Sequence, residues 1–167
     1  SAIAKLQELG FAPIGKVLDL GCGTGLVGQA FKMDKNSFIG VDISQKMLDK
    51  AALKGVYANL IKADIVDFLQ TLKLKFNFII ALDTVEYIDD FCKIATYVNG
   101  TPFVFTIENA PENVIEYKLN ASGRYQHNPH YICKRLIIAG YKNIKEYPLI
   151  LRQENGADVN GTLFWAE

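Results

Sequence analysis

Short apolar runs alternate with segments of helical periodicity over the first two thirds of the chain. The clearest run, Phe76–Leu82, is almost continuously apolar, which is typical of a parallel strand covered on both faces. The segment Gln45–Lys54 has apolar residues at helical spacing, and Gly55 after it is a typical helix-ending residue. Strands that alternate with helices predict a parallel sheet with crossover helices, which is an α/β fold. The other predicted elements of this part are strands from Val17, over Ser37–Asp42, over Asn59–Ala63 and over Pro102–Ile107, and helices over Ile3–Leu9, Leu26–Phe31 and Val66–Leu72 and from Asp89 or Asp90 to Val98.

The pattern changes after Glu108. Residues 109–128 are polar and aromatic without a clear period, so we expect a loop that contains no more than one helical turn. Asn128-Pro129 then predicts the start of a helix, because asparagine caps helices and proline suits their first position. Two predicted strands close the chain, and the loop between them is short enough to make them antiparallel. These last segments are a helix to Ala139, strands over Asn143–Arg152 and Thr162–Ala166, and a polar loop over Gln153–Gly161.

The turn after the first predicted strand contains almost no side chains. Asp19 is followed by glycines at alternate positions, Gly21, Gly23 and Gly25, and a helical segment begins at Leu26. Glycine permits a positive φ and leaves no Cβ between a ligand and the backbone. The start of the following helix offers unpaired N–H groups. This stretch therefore predicts a nucleotide-cofactor site.

Two kinds of nucleotide site compete for this turn. The spacing Gly23-x-Gly25-x-x-Gly28 matches the dinucleotide fingerprint, and Asp42 lies where a ribose-binding carboxylate is expected. That match alone is weak. A dehydrogenase also needs a proton-transfer group, and the Tyr-x-x-x-Lys match, Tyr141 and Lys145, straddles a helix end and a strand instead of lying on one helix. NAD binding by an oxidoreductase therefore stays the less favoured alternative.

The chain resembles the class I S-adenosylmethionine (SAM)-dependent methyltransferases over essentially its whole length. The first motif of that family is an acidic residue followed by alternate glycines, which Asp19 and the glycine turn match. The second and third are carboxylates at the ends of strands two and three, which Asp42 and Asp64 match. The fourth is an acidic or polar residue at the end of strand four, which Asp83 matches. Each aspartate also has a local alternative, because Asp19 can cap its turn and Asp42 and Asp64 can start helices.

The resemblance implies a Rossmann-like α/β fold, with a seven-stranded, mostly parallel sheet, an antiparallel C-terminal hairpin and helices on both faces. It also implies SAM as the cofactor, since carboxylates at strand ends meet at the ligand-binding edge of such a sheet and can accept from the ribose hydroxyls. The cofactor-binding residues that we expect are Asp19, Gly21, Cys22, Gly23, Gly25, Asp42, Ile43, Met47, Ala63, Asp64, Ile65 and Asp83.

The resemblance further implies transfer of a methyl group to a small molecule or a protein side chain, with release of S-adenosylhomocysteine (SAH). The acceptor should lie beyond strands four and five. Glu86 and Tyr87 follow strand four and are candidates for the pocket wall, although a carboxylate in such a loop is often only solvated. The non-enzyme alternative is a SAM-binding module that works through a partner.

The segment Ser122-Gly-Arg-Tyr-Gln-His127 and the stretch Leu151–Gly156 resemble a bacterial subgroup of predicted methyltransferases, often carried after tetratricopeptide repeats. In that subgroup the first segment lies over the expected acceptor pocket. This implies that Arg124 holds a substrate carboxylate or phosphate, and that His127 is a candidate base. The candidates for catalysis are thus His127, Tyr125 and Glu86, and those for substrate binding are Tyr87, Arg124, Tyr125 and His127. The alternative is that Arg124 and His127 only tie down a long loop.

The charge composition argues against two classes of binding partner. Lysine and arginine together number 18, as do aspartate and glutamate, whereas nucleic acids and anionic membranes attract clustered cations. We therefore expect neither as a partner. The cysteines are few, odd in number and far apart, which predicts neither a zinc site nor a disulfide framework and suits a cytoplasmic protein with reduced thiols. They are Cys22, Cys92 and Cys133.

The length of 167 residues fits one domain, residues 1–167. The chain starts with serine, which leaves open that it is a piece of a longer protein. Many class I enzymes carry extra N-terminal helices over the cofactor, and only one predicted helix precedes the first strand here. We therefore expect either an open pocket or a lid or repeat domain that lies outside this chain.

Overall fold

The computed structural model describes residues 1–32, 34 and 36–167. Strands and helices alternate as far as β5, as predicted, and a short 3-10 helix at Val85–Tyr87 follows β4. The elements in chain order are α1 (Ala2–Glu8), β1 (Val17–Leu20), α2 (Leu26–Phe31), β2 (Phe38–Asp42), α3 (Gln45–Ala52), β3 (Asn59–Lys62), α4 (Ile65–Thr71), β4 (Phe78–Ala81), α5 (Cys92–Val98), β5 (Phe103–Asn109), β6 (Tyr117–Leu119), β7 (Tyr125–His127), α6 (Pro129–Ile138), β8 (Ile144–Glu154) and β9 (Ala157–Ala166).

The sheet has the predicted mixed topology. Strands β3, β2, β1, β4 and β5 lie side by side in that order and are parallel. β9 pairs with β5 in the antiparallel direction, and β8 pairs with the other edge of β9, so the C-terminal hairpin is confirmed. These seven strands are the predicted sheet, and β6 and β7 bring the described strands to nine.

Helices cover both faces of the sheet, and each face has its own core. The strands in the middle of the sheet are apolar on both sides, as the continuous burial of β1 and β4 shows. One core is built around stacked aromatic rings of β5 and its neighbours, among them Phe91, Phe103, Phe105 and Phe164. The other core lies under α1 and α2. The two cores hold the carboxyl ends of β1, β2 and β4 in fixed positions.

The prediction of a loop over residues 109–128 is wrong in part. β6 and β7 form an antiparallel hairpin there, and β7 also pairs in parallel with Glu108 and Asn109 at the end of β5. Because β9 already occupies one edge of β5, β7 lies on the edge that β4 covers lower down. The hairpin therefore projects beyond the carboxyl end of β4. Strands of three residues are too short to give a readable alternation, which is why the sequence pattern missed them.

The prediction of a polar loop over Gln153–Gly161 is also wrong. β8 and β9 continue toward each other and are joined by Asn155 and Gly156 alone, both at positive φ. Asn-Gly is a preferred pair for such a two-residue turn. The last pair between β9 and β5 is Gly161 with Glu108, so this end of the hairpin also extends past the carboxyl edge of the sheet. Two hairpins thus rise from the edge where the predicted site lies.

Candidate functional site

A cavity of about 520 Å³ lies at the carboxyl edge of the sheet, at the ends of β1, β2 and β4 and the start of α4. It brings together eight of the residues predicted to bind the cofactor, and Tyr87 of the predicted acceptor side. The residues that line it are Gly21, Gly23, Asp42, Ile43, Ser44, Met47, Asp64, Ile65, Val66, Asp83, Thr84, Tyr87 and Ile88.

The glycine turn is shaped by its neighbours on one side and open on the other. Gly21, Gly23 and Gly25 all have positive φ. A Cβ on Gly21 would lie 2.3 Å from the Thr84 hydroxyl oxygen, so no larger residue fits there. A Cβ on Gly23 would meet nothing closer than 4.0 Å, and Gly23 lines the cavity. The turn therefore leaves bare backbone for a ligand at Gly23.

Asp42 is held in place by the backbone around it. The N–H of Gly23 donates to its Oδ2 at 2.9 Å, and the N–H of Ser44 donates to its Oδ1 at 2.8 Å. A carboxylate has about four lone-pair sites, so each oxygen keeps room for a second donor. Asp42 thus supports both the glycine turn and the start of α3, and it presents two fixed acceptors at the cavity, as a pair of vicinal hydroxyls requires.

Asp64 has two roles at once. Its Oδ1 accepts from the N–H groups of Val66 at 2.8 Å and Asp67 at 3.2 Å, which makes it the N-cap of α4, the local alternative for this residue. Its exposed side chain also lines the cavity. Capping employs one oxygen and leaves the other for a ligand.

Apolar side chains form the walls between these carboxylates. Ile43 and Met47 line the cavity and remain 66% and 41% exposed. Apolar side chains that line a cavity together with a few polar groups are typical of a ligand site. Ile65 continues this wall beside Asp64. These side chains give the cavity an apolar wall.

Asp83 follows β4 in a left-handed conformation, with φ of 51°. Such a φ is uncommon outside glycine, although aspartate tolerates it better than most residues. Its N–H donates to the Thr106 hydroxyl at 2.8 Å, which fixes the turn. The result is a carboxylate that lines the cavity beside Thr84 and Tyr87.

Four residues predicted to bind the cofactor lie outside the cavity lining: Asp19, Cys22, Gly25 and Ala63. Asp19 is 1% exposed and accepts a hydrogen bond from the Tyr57 hydroxyl at 2.8 Å. Burial and the charge of Asp42 raise its pKa to about 7, against the opposing effect of the Tyr57 bond. Burial likewise raises the pKa of the Cys22 thiol, which disfavours the reactive thiolate. These side chains pack beneath the turn.

The free energy of unfolding should decrease as the pH rises from about 4 to about 7, because two carboxyl groups are buried. Burial raises the pKa of Asp19 from 3.8 to about 7 and that of Glu86 from 4.5 to about 7. In that window the native state holds protons that the unfolded chain has lost, so raising the pH favours unfolding. Thermal unfolding from pH 4 to pH 8 should show a flatter decline for Asp19→Asn than for the wild type. The exposed control Glu112→Gln should follow the wild type, and an Asp19→Asn curve parallel to both would contradict this prediction.

On the acceptor side, Tyr87 and Arg124 form a contact at the mouth of the cavity. Tyr87 is 63% exposed. The Arg124 Nε–H donates to its hydroxyl at 3.3 Å, and the guanidinium lies 5.8 Å from the ring centre. Tyr125, on the same strand end, is half-buried beside the Tyr117 ring. Hairpin β6–β7 therefore brings Arg124 to the cavity, although neither Arg124 nor Tyr125 lines it.

His127 and Glu86 face the interior. His127 has no exposed surface, its Nε2 lies 3.3 Å from the Val85 carbonyl oxygen, and burial lowers its pKa toward the neutral ring. Glu86 is 2% exposed. Within the described part of the chain, His127 Nδ1 and Glu86 Oε2 have no hydrogen-bond partner. Neither side chain reaches the cavity in this structure.

Sequence patterns missed Ser44, Val66, Thr84 and Ile88 as cavity residues. Each stands one or two residues from a predicted site residue, so the signal was position after a strand end and not residue type. For the dehydrogenase alternative, the Tyr141 hydroxyl donates to the Thr101 carbonyl oxygen and the Lys145 amino group lies over the Trp165 ring. The pair therefore does not form a proton-transfer site.

No helix in the described residues is both long and apolar enough to span a membrane. In the same residues, no group of three or more histidine, cysteine, aspartate or glutamate side chains is arranged to hold a metal ion.

A family model described as "Methyltransferase domain" matches residues 17–98, which include the glycine turn, Asp42, Asp64 and Asp83. The 18S rRNA (guanine-N(7))-methyltransferase of Bos taurus is 32% identical over 72 residues, which are 43% of this chain and 26% of that protein. The chain thus spans about a quarter of the length of this curated relative.

Solved structures match the whole chain. A SAM-dependent methyltransferase from Archaeoglobus fulgidus superposes with a TM-score of 0.72 and 17% identity, over 99% of this chain and 92% of that chain. Magnesium protoporphyrin IX methyltransferase from Synechocystis, with bound SAM, superposes with a TM-score of 0.66 and 21% identity, over 99% of this chain and 76% of that chain. The glycopeptide N-methyltransferase MtfA superposes with a TM-score of 0.70 and 15% identity, over 100% of this chain and 90% of that chain. The chain therefore has the fold of the class I SAM-dependent methyltransferases, and its residues 17–98 match a methyltransferase domain.

Proposed function

We propose that the chain binds SAM in the cavity at the sheet edge and transfers its methyl group to a small molecule or a protein side chain, with SAH as the second product. The observation that carries this proposal is Asp42, whose two carboxylate oxygens are fixed by backbone N–H groups and presented beside the bare backbone of Gly23. Two fixed acceptors beside a glycine cradle suit a ribose joined to a group that crosses the turn.

The residues of the cavity fit the parts of SAM. Asp42 would accept from the ribose hydroxyls, Ile43 and Met47 would pack on the adenine, and Asp64 and Ile65 would lie at its edge. Asp83, Gly21 and Gly23 are left for the methionine part. Asp19 and Cys22 are buried and support the glycine turn, and Gly25 and Ala63 also lie outside the lining.

When bound, SAM supplies an electrophilic methyl group on a positively charged sulfur. The task of the chain is then to align the acceptor and to exclude water, which alone lowers the barrier of a two-reactant step substantially. Tyr87 lines the cavity next to Asp83, so we assign it to the acceptor wall. A base is required only where the acceptor must lose a proton.

We assign recognition of the acceptor to Arg124, which is held at the mouth by Tyr87 and is suited to a carboxylate or a phosphate. Tyr125 is the candidate base that retains exposed surface. His127 and Glu86 would need a movement of hairpin β6–β7 before either touched an acceptor, because both are closed off in this structure. We therefore place them behind the acceptor wall.

The balanced charge of the chain favours a small molecule or a protein over a nucleic acid as acceptor, and no membrane partner is proposed. We keep the proposals of a cytoplasmic location, of one domain over residues 1–167, and of a lid or tetratricopeptide-repeat partner outside this chain. The non-catalytic SAM-binding module remains the alternative, which would bind SAM and transfer no methyl group.

Calorimetric titration of the purified chain with SAM, SAH and NAD tests the cofactor directly. We expect dissociation constants in the micromolar range for SAM and SAH and no heat for NAD. Binding of NAD alone would overturn the proposal. If none of the three binds, the proposed function of this chain fails, and a longer form of the protein becomes the subject of the same titration.

A further inference from the structure

Glu108, the penultimate residue of β5, collects hydrogen bonds from three separate parts of the chain. Its side chain is only 3% exposed. Oε1 accepts from Asn120 Nδ2 at 2.7 Å and from Gln126 Nε2 at 2.8 Å, and Oε2 accepts from Arg152 Nη2 at 2.6 Å. One buried carboxylate thus joins the turn of hairpin β6–β7, its strand β7 and strand β8. Both oxygens of this buried charge therefore have donors, as a buried carboxylate requires.

Asn120 links Glu108 to the turn that leads to Arg124. Its N–H donates to the Arg124 carbonyl oxygen at 2.8 Å. Its Oδ1 accepts from the N–H groups of Ser122 at 2.9 Å and Arg124 at 3.1 Å. Glu108 holds the other end of the same amide. The backbone of Arg124 is therefore fixed through Asn120 to Glu108.

Two residues of β8, Arg152 and Glu154, link Glu108 to the side chain of Arg124. Arg152, bound to Glu108, donates from Nε to Glu154 Oε2 at 3.2 Å, and Arg124 Nη1 donates to the same oxygen at 3.4 Å. The remaining Nε–H of Arg124 donates to the Tyr87 hydroxyl. Two routes, one through the turn and one through β8, thus run from Glu108 to the contact between Arg124 and Tyr87.

From this geometry we propose that Glu108 is the positioning residue of the acceptor wall: it holds Arg124 against Tyr87 at the cavity mouth without touching the acceptor itself. The acceptor role of that wall rests on the proposed function. Glu108 is absent from the lining of the cavity, and none of its three donors lines it. Loss of Glu108 should therefore loosen the acceptor wall and leave the cofactor residues in place.

The three arginines of the chain allow a direct test, because the Nε–H region of a ¹H–¹⁵N spectrum contains only Arg124, Arg135 and Arg152. Arg135 lies over the Tyr131 ring, outside the network, and serves as an internal reference. In Glu108→Gln the amide oxygen can still accept from one or both amide donors, but the charge that faces Arg152 is gone. We expect the Arg124 Nε–H to exchange with solvent at least tenfold faster than in the wild type, with the Arg135 signal unchanged.

The matched control is Glu146→Gln, on the same strand as Arg152. Its carboxylate accepts only from the Cys133 thiol, at 3.1 Å, among the hydrogen bonds of the described residues. This control should leave all three signals at their wild-type exchange rates. An Arg124 rate that is unchanged in Glu108→Gln, or that rises as much in Glu146→Gln, overturns the proposal.

A second variant keeps the test decisive if Glu108→Gln fails to fold. Arg152→Lys keeps the positive charge beside Glu108 but cannot bind Glu108 and Glu154 through two guanidinium nitrogens at once. It should speed the exchange of the Arg124 Nε–H several-fold in a chain that melts near the wild-type temperature. A folded Arg152→Lys variant with an unchanged Arg124 signal also overturns the proposal.

Titration of the same variants with SAH separates this inference from the proposed function. Glu108→Gln should bind SAH within about twofold of the wild type, because Asp42 and the glycine turn are untouched. A loss of SAH binding larger than tenfold in a folded variant would mean that Glu108 acts on the cofactor site, and the positioning role would be wrong. Absence of SAH binding in the wild type would defeat the proposed function, while the arginine signals would still decide whether Glu108 holds Arg124.

Discussion

Asp42→Ala should weaken the binding of SAM and SAH by about 2–4 kcal/mol, roughly 30- to 900-fold in the dissociation constant, since hydrogen bonds to a charged group are worth about twice neutral ones. The alanine removes both acceptors for the ribose. It also releases the N–H groups of Gly23 and Ser44, which now bind the carboxylate. Calorimetric titration measures the change, and circular dichroism checks that the variant is folded.

Asp64→Ala is the matched comparison for Asp42→Ala. Its carboxylate is exposed and already caps α4 through Val66 and Asp67, so its contact to the cofactor is partly solvated. We expect a smaller loss of affinity, together with about 1 kcal/mol of lost stability from the missing cap. An unchanged affinity in folded Asp42→Ala would exclude the ribose assignment. A larger loss for Asp64→Ala would reverse the ranking of the two contacts.

Phe105→Ala should have the largest effect on stability, a loss of about 3–5 kcal/mol in the free energy of unfolding. The ring has no exposed surface and stacks on Phe91, Phe103 and Phe164 at centroid distances of 5.0, 4.5 and 5.2 Å. The cavity that the alanine leaves lies between two strands and a helix, so it cannot collapse easily. Thermal unfolding should show a midpoint roughly 6–20 °C lower.

The control for Phe105→Ala is Ile138→Ala, on the outer side of α6. Ile138 is 74% exposed, so its truncation should change the free energy of unfolding by less than about 0.5 kcal/mol. Equal effects of the two substitutions would mean that the stacked rings of β5 are not the centre of the core.

The parallel part of the fold and the place of the site were readable from the sequence for a physical reason. A strand buried on both faces is apolar throughout, so the first polar residue after it marks the carboxyl edge of the sheet. Asp83 stands at such a point after β4, whereas Asp42 is the last residue of β2 and Asp64 follows the more exposed strand β3. All three line one cavity. Asp19 stands inside β1, and its side chain is therefore directed beneath the turn, to Tyr57.

The acceptor side was not readable in the same way. The strands β6 and β7 have three residues each. The bonds from their hairpin to Glu108 join residues 12 and 18 positions apart, and the bond from β8 to Glu108 joins residues 44 positions apart. No local pattern carries such information. His127 shows the limit of residue type: its chemistry suggested a base, whereas the strand turns the ring inward beside Val85.

Hairpin β6–β7 begins and ends at almost the same point of the molecule, since the N–H of Ala110 donates to the His127 carbonyl oxygen at 2.9 Å. The segment between these two residues can therefore change in length and composition while β5 and α6 keep their places, provided that donors to the buried Glu108 carboxylate remain. It contributes Tyr117 to the edge of one core, and Asn120 and Gln126 are its donors to Glu108. The chain is in this sense divided into a sheet that carries the proposed SAM site and an insert whose two ends meet. Grafting other inserts between Ala110 and His127, with donors to Glu108 kept, would change the proposed acceptor wall and leave the sheet in place.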